Sequence, residues 1–234
     1  MTISDRTRQL LSVTATSTIT AQLQRRGIRN SFLTGLRPIK PGQRMIGTAR
    51  TLRFGPMRED KIAELQQGVN AQRRAIESIE PGDVLVIDAH NDPGAGTIGD
   101  VLAMRALRRG AVGVVTDGAV RDATAVSNID IAVYLHAVHG ATFSREHLPL
   151  DIDVPVACAG VLVFPGDVLV GDDDGVVVIP FALVDEVAVD GAEQELRDTW
   201  AFERVSDGEP ILGVFPLDDA HRAEFETWKT GREH

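Results

Sequence analysis

The sequence predicts an α/β fold with mixed sheets and helical extensions at both termini, and three observations carry that prediction. Val84-Leu85-Val86-Ile87-Asp88 is a continuous apolar run, as in a strand covered on both faces. An amphipathic stretch over residues 98–109, stopped by Gly110, and a second apolar run over 111–116 complete a strand–helix–strand unit. Beyond residue 130 the texture changes to short apolar strands at 131–135, 154–159, 161–164, 167–170 and 175–179, punctuated by Pro-Gly and Asp-Gly turns.

The other elements follow in chain order. Leu10, Leu11, Ile19 and Leu23 among polar neighbours predict helix through the first 30 residues, closed by Gly27. The chain turns at Pro38 and Pro41, and residues 47–54 alternate like a strand. Ile62, Leu65, Val69, Ala75 and Ile76 predict an amphipathic helix over 59–78. Pro81-Gly82-Asp83 is a turn and residues 91–96 a Gly-rich loop. A long helix is expected from Pro180 to about residue 205, then a tail carrying Pro210, Pro216 and Trp228. One domain is expected over 1–234, with its core at about 30–180 and the C-terminal helix and tail at 181–234.

A chain of 234 residues can bury one substantial core, and 43% hydrophobic with 25% charged residues is an ordinary globular balance. The net charge of −10 repels phosphate backbones, so no nucleic-acid partner is expected. The N-terminus has no basic-then-apolar leader, and no apolar run reaches the roughly 18–20 residues of a membrane span. A cytoplasmic protein without a membrane partner is expected. Cys158, the single cysteine, excludes an internal disulfide and a cysteine-cluster metal site, and reads as a small core residue.

Gly94-Ala95-Gly96-Thr97-Ile98-Gly99 matches G-x-G-x-x-G, with Asp117 18 residues beyond the last glycine. Five residues, Ala89 to Pro93, separate it from the preceding strand, and the alternating units of a full dinucleotide fold are missing. Both features count against a nucleotide site. Thr97-Ile98-Gly99-Asp100 also reads as a capping box, with Thr97 as the cap and Asp100 bonding back. Either way, a glycine-preceded helix start offers amides to an anion, carboxylate or phosphate.

Arg121-Asp122 stands just beyond a buried strand, where functional residues of α/β proteins concentrate. Gly96-Thr97-Ile98-Gly99-Asp100, then twenty residues, then Arg121-Asp122, resembles the active-site signature of the RraA-like family. Pro81-Gly82-Asp83, Pro165-Gly166-Asp167 and Gly171-Asp172-Asp173-Asp174-Gly175-Val176 also fit, and the resemblance spans about residues 10–210. That family includes metal-dependent 4-hydroxy-4-methyl-2-oxoglutarate aldolases that also decarboxylate oxaloacetate.

The resemblance implies a three-layer swivelling-domain-like fold assembled as a homotrimer or hexamer. It implies a lyase releasing pyruvate from a short 2-keto acid, with Mg²⁺ or Mn²⁺ held by Asp122 and waters. Arg121 would bind the keto acid and steady the enolate oxygen. The backbone at Gly99, Asp100, Val101 and Leu102 would take the substrate carboxylate, and Asp100 would help orient the proton acceptor. Glu193 or Glu195 from the C-terminal helix of a neighbouring subunit would complete the site. Physical chemistry agrees: Mg²⁺ retains waters, and the guanidinium fork suits an oxyanion. A Schiff-base route is disfavoured because Lys40, Lys61 and Lys229, the only lysines, lie outside residues 80–180.

The family's non-catalytic branch, which binds and inhibits a ribonuclease, is the alternative. Retention here of Asp122 and of the Gly-x-x-Gly-Asp helix start favours the enzyme. Among other candidates, Asp172-Asp173-Asp174-Gly175 reads as a turn between strands. The six histidines lack metal-binding spacing, and His90 is the one expected near the site. Trp200, Phe202 and Phe215 are expected to pack a helix or a subunit contact.

Overall fold

The computed structural model describes residues 2–65 and 67–232. From the N-terminus come helices α1 (Asp5–Ser12) and α2 (Thr16–Arg25), then strands β1 (Arg37–Pro38) and β2 (Met45–Pro56). Helices α3 (Ile62–Leu65) and α4 (Ala71–Glu77) precede β3 (Asp83–Asp88), β4 (Gly96–Ile98), α5 (Asp100–Arg109) and β5 (Gly113–Val120). Next are α6 (Ala123–Ser127), β6 (Ala132–Val138), β7 (His147–Ile152), β8 (Val156–Cys158) and β9 (Val161–Val163). The chain closes with β10 (Val168–Asp172), β11 (Gly175–Ile179), α7 (Val184–Ser206) and α8 (Arg222–Thr230).

Nine strands form one mixed sheet in the order β1-β6-β5-β3-β2-β10-β11, with β4 beside β5 and β7 beside β2. The pairs β2–β3, β3–β5 and β5–β6 are parallel, whereas β10 runs antiparallel to β2 and β11. Strand periodicity sorts the side chains. Val84 and Val86 join Val115, Tyr134, Leu169 and Val178 on the face covered by the β8–β9 hairpin. Leu85 and Ile87 join Val114, Val133 and Leu135 on the opposite face, against residues of α4 and α5. That outer face continues at Ile46, Val168, Val170 and Val177, where α1, α2 and α7 cover it. The continuous apolar run at 84–87 is thus buried on both faces, as expected.

Four expectations change. The first 30 residues form two helices, because Glu195 Oε1 accepts from Ala15 N–H and Asp172 accepts from Thr16 N–H and Oγ1, all within 2.7–2.8 Å. These distant carboxylates cap a new helix start. The expected helix over 59–78 is interrupted: Gly68 takes φ +65° and the Asn70 side chain caps α4 through Arg73 N–H, while position 66 lies outside the described residues. Thr97 is no helix cap. It lies in β4, its hydroxyl bonded to Ala119 O and Thr116 Oγ1, and Gly99 holds the N-cap position. Finally, β7 and α8 form where no element was expected. The Asp172–Asp174 segment is the expected tight turn between β10 and β11, and Cys158 is the expected buried thiol. Among the described residues, no helix is long and apolar enough to cross a membrane.

The end of β3 and the interior of β5 carry two buried aspartates, Asp88 and Asp117. Asp117 accepts from the amides of Ala89 (2.6 Å), Asn91 (3.1 Å) and Ala159 (3.1 Å), and Asp88 from those of His90 and Ala157. Burial raises the Asp117 carboxyl above the ordinary range against those hydrogen bonds, and the Asp88 charge adds to the rise. Its contribution to stability is therefore largest below pH ~4 and falls as pH climbs through the raised value. Asp117→Asn leaves one of three buried amides facing an NH₂, at a cost of about 1–3 kcal/mol. The variant lacks this titration, so the stability margin of wild type over Asp117→Asn, from urea midpoints, should be larger near pH 4 than near pH 7.5.

Candidate active site

β5 runs on past the expected residue 116 to Val120, which brings Arg121 and Asp122 directly onto its carboxyl end. A register shift against β6 between Thr116 and Ala119 marks the extension. Gly118 lies within it, and a Cβ there would stand 2.8 Å from Ala89 Cβ and Thr97 Cγ2. β4 then pairs in parallel with the end of β5, and Arg121 N–H donates to Ile98 O at 2.9 Å. The Gly-rich loop and Arg121-Asp122 are thereby locked side by side.

The glycines of the loop are seats for these two side chains. A Cβ on Gly96 would lie 2.2 Å from Arg121 Cγ, and one on Gly99 3.0 Å from Asp122 Oδ2. Gly94 N–H is spent on Asp92 Oδ1. The pattern that matches a nucleotide fingerprint is therefore a packing solution, and Asp117, the residue placed to bind a ribose in that reading, is fully buried.

Asp122 heads α6 with left-handed dihedrals (φ 53°, ψ 39°) and makes no side-chain cap bond. Among the described residues its exposed carboxylate has no hydrogen bond or ion pair in the structure. The half-buried Arg121 is equally unspent: it forms no ion pair there, and its buried Nε has no partner. Arg44 and Arg53 also have an unpartnered Nε, but their guanidinium ends pair with Asp172 and Asp151. A cation and an anion thus stand on consecutive residues, both unpaired among the described residues.

Asp100 is the first residue of α5 and follows Gly99, on which the Asp122 carboxylate rests. Its Oδ1 accepts from Val101 N–H at 2.7 Å. Of the amides at the four positions expected to take a carboxylate, that of Val101 is thus occupied. Those of Asp100 and Leu102 lie in the first helical turn, where the helix itself supplies no acceptor. Glu193 and Glu195 lie on α7, which packs on α1 and α2; Glu193 binds Arg197 and Lys229, and Glu195 binds Ala15 N–H.

Among the described residues, no three His, Cys, Asp or Glu side chains come together to enclose a cation. The free Asp122 carboxylate fits a hard, hydrated ion such as Mg²⁺ that keeps most of its waters, and does not fit a closed protein cage. His90 lies in the loop with φ +57°. His136 and His139 stand beside the site without any sequence signal. His136 Nδ1 is 3.2 Å from Asp117 O, and His139 N–H donates to Val120 O.

Known proteins resemble this chain over most of its length. Residues 3–178 match the RraA-like family model, described as Aldolase/RraA. A Halalkalibacterium halodurans protein named "Putative 4-hydroxy-4-methyl-2-oxoglutarate aldolase" is 31% identical over 172 residues, 74% of this chain and 77% of that protein. The crystal structure of Streptomyces coelicolor RraAS2, described as an unusual member of the RNase ES inhibitor RraA family, aligns with a TM-score of 0.75. It is 32% identical, over 89% of this chain and 99% of that one. The RNA-processing inhibitor RraA from Thermus thermophilis aligns with a TM-score of 0.51 at 27% identity, over 69% and 92% of the two chains. With the family match covering most of its length, this chain belongs to the RraA-like family.

Proposed function

We propose that the protein is a carbon–carbon lyase that releases pyruvate from a short 2-keto acid. The observation that carries this reading is the unpaired Arg121–Asp122 couple, seated over Gly96 and Gly99 at the start of α5. The aldolase names among the relatives support the same class. The amides of Asp100 and Leu102 take the substrate carboxylate, with the helix N-terminus favouring the negative charge. Arg121 donates to the keto oxygen. As the C3–C4 bond breaks, its electron pair moves into the pyruvate enolate and the 4-hydroxyl proton leaves. The Arg121 guanidinium meets the oxygen on which charge develops, so it stabilises the transition state more than the ground state. Asp100, at the mouth of the same helix start, orients the departing proton's acceptor. A divalent cation held by Asp122 would supply Lewis-acid polarisation of the keto and enolate oxygens. Exposed Val101, Met104 and Val138 give this end of the molecule an apolar surface, which supports a covering second copy in a trimer or hexamer.

A second reading, a ribonuclease-binding regulator, is favoured by the description of the Streptomyces relative. Pyruvate release from oxaloacetate separates the two. With Mg²⁺ the enzyme should turn over, and excess chelator should abolish the rate. Asp122→Asn tolerates the left-handed backbone and should lose at least about 100-fold in kcat/KM while keeping its melting temperature. Absence of turnover together with inhibition of a ribonuclease would reverse the assignment.

The two glycine seats give an independent check. Gly99→Ala places a methyl against the Asp122 carboxylate, and Gly96→Ala drives one into the Arg121 stem. Both variants should fold, as judged by circular dichroism. Gly96→Ala should fall mainly in kcat and the affinity for keto acid, and Gly99→Ala in the Mg²⁺ concentration needed for half-maximal rate.

A further inference from the structure

The segment after β6 ties together the two sides of the Arg121 seat. His139 N–H donates to Val120 O at 3.1 Å, one residue before Arg121, and Ala141 O accepts from Gly96 N–H at 2.9 Å. Gly96 pairs with Ala119 of β5 and bridges to Thr142. A Cβ on Gly96 would lie 3.0 Å from Arg121 Cδ and 3.2 Å from Ala141 O, so the arginine stem and the carbonyl close on the same glycine. The position of Ala141 thus sets that of Gly96, and Gly96 sets the stem.

The backbone of the segment does little to fix that position. Gly140 stands between the two anchors, and a Cβ on it would meet nothing within 4 Å, so neither a side chain nor packing at this residue restrains the turn. The restraint comes from the His139 ring. Its Nδ1 accepts from Ala141 N–H at 3.0 Å, closing the turn as an Asn or Asp side chain closes one on the amide two residues on. An amide N–H only donates, so the neutral ring carries its single proton on Nε2. Arg145 Nη1, 3.3 Å from Nε2, then faces it donor to donor and adds no hydrogen bond. One acceptor, at Nδ1, is all that the side chain brings to the turn.

We propose, resting on the lyase reading above, that His139 is a positioning residue: its Nδ1 holds Ala141 against Gly96 and so keeps the Arg121 guanidinium aimed at the keto oxygen. It acts only through Arg121. Asp122 has a separate seat at Gly99, so the hold on a cation does not depend on His139. Two substitutions separate the acceptor from the bulk of the ring. In His139→Asn the amide oxygen stands as many bonds from the backbone as Nδ1 and reaches the same N–H. In His139→Leu the space is filled and the acceptor is gone.

Pyruvate release from oxaloacetate by the Mg²⁺-supplied full chain tests this. His139→Leu should lose about 10-fold or more in kcat/KM, because a small misplacement of a charge-stabilising group is costly. The loss should fall on kcat and on KM for the keto acid, as expected of Gly96→Ala, with the melting temperature and the Mg²⁺ concentration for half-maximal rate unchanged. His139→Asn should recover most of the rate. Hydrogen exchange at Gly96, read by mass spectrometry, should quicken in His139→Leu and slow again in His139→Asn. A wild-type rate in His139→Leu, a loss that His139→Asn does not recover, or an equal shift in the Mg²⁺ requirement overturns the proposal while leaving the lyase intact. No pyruvate from the wild-type chain removes the lyase reading instead. Exchange then judges the clamp by itself, and an unchanged rate of exchange at Gly96 in His139→Leu refutes it.

Discussion

The arrangement depends on two buried carboxyl groups that, among the described residues, no lysine or arginine neutralises. Asp88 ends β3 and Asp117 lies within the adjacent parallel strand β5, and their oxygens are spent on five backbone amides from residues 89–91 and the β8–β9 segment. Oriented amides replace the hydration these groups lose on burial, and in return they fix the path of the chain. His90 and Asn91 are held with positive φ by this means. The loop therefore leaves β3 on one course, and that course carries Gly94 to Gly99 across the end of β5.

The close approach of backbone and side chains follows from that course. Gly96 and Gly99 are needed because the stem of Arg121 and the carboxylate of Asp122 occupy the space a Cβ would fill. The loop, the helix start and the charged couple form a single rigid unit built on strand ends rather than on a flexible excursion. Preorganised charge of this kind is what an oxyanion-generating reaction requires.

Elements governed by local pattern were legible in the sequence. The run at 84–88 is covered on both faces, and Arg121-Asp122 follows a buried strand as read. The family signature located the couple, but the cause of its geometry lay in tertiary contacts. The break between α1 and α2 comes from carboxylates at 172 and 195, more than 150 positions along the chain from the amides they cap. Thr97 carries a cap signature, yet its hydroxyl is claimed by Thr116 and Ala119 once β4 joins the sheet. β7, with Pro149 inside it, and the orphaned imidazole of His147 had no sequence signal, because only the fold shows what surrounds them.

The left-handed backbone at Asp122 has an evolutionary consequence. A glycine at that position would relax the dihedral strain and delete the anion in a single step. On the lyase reading proposed above, selection for robustness and selection for turnover pull position 122 in opposite directions. On that same reading, a lineage released from catalysis would gain folding free energy by exchanging Asp122 for glycine while keeping the scaffold.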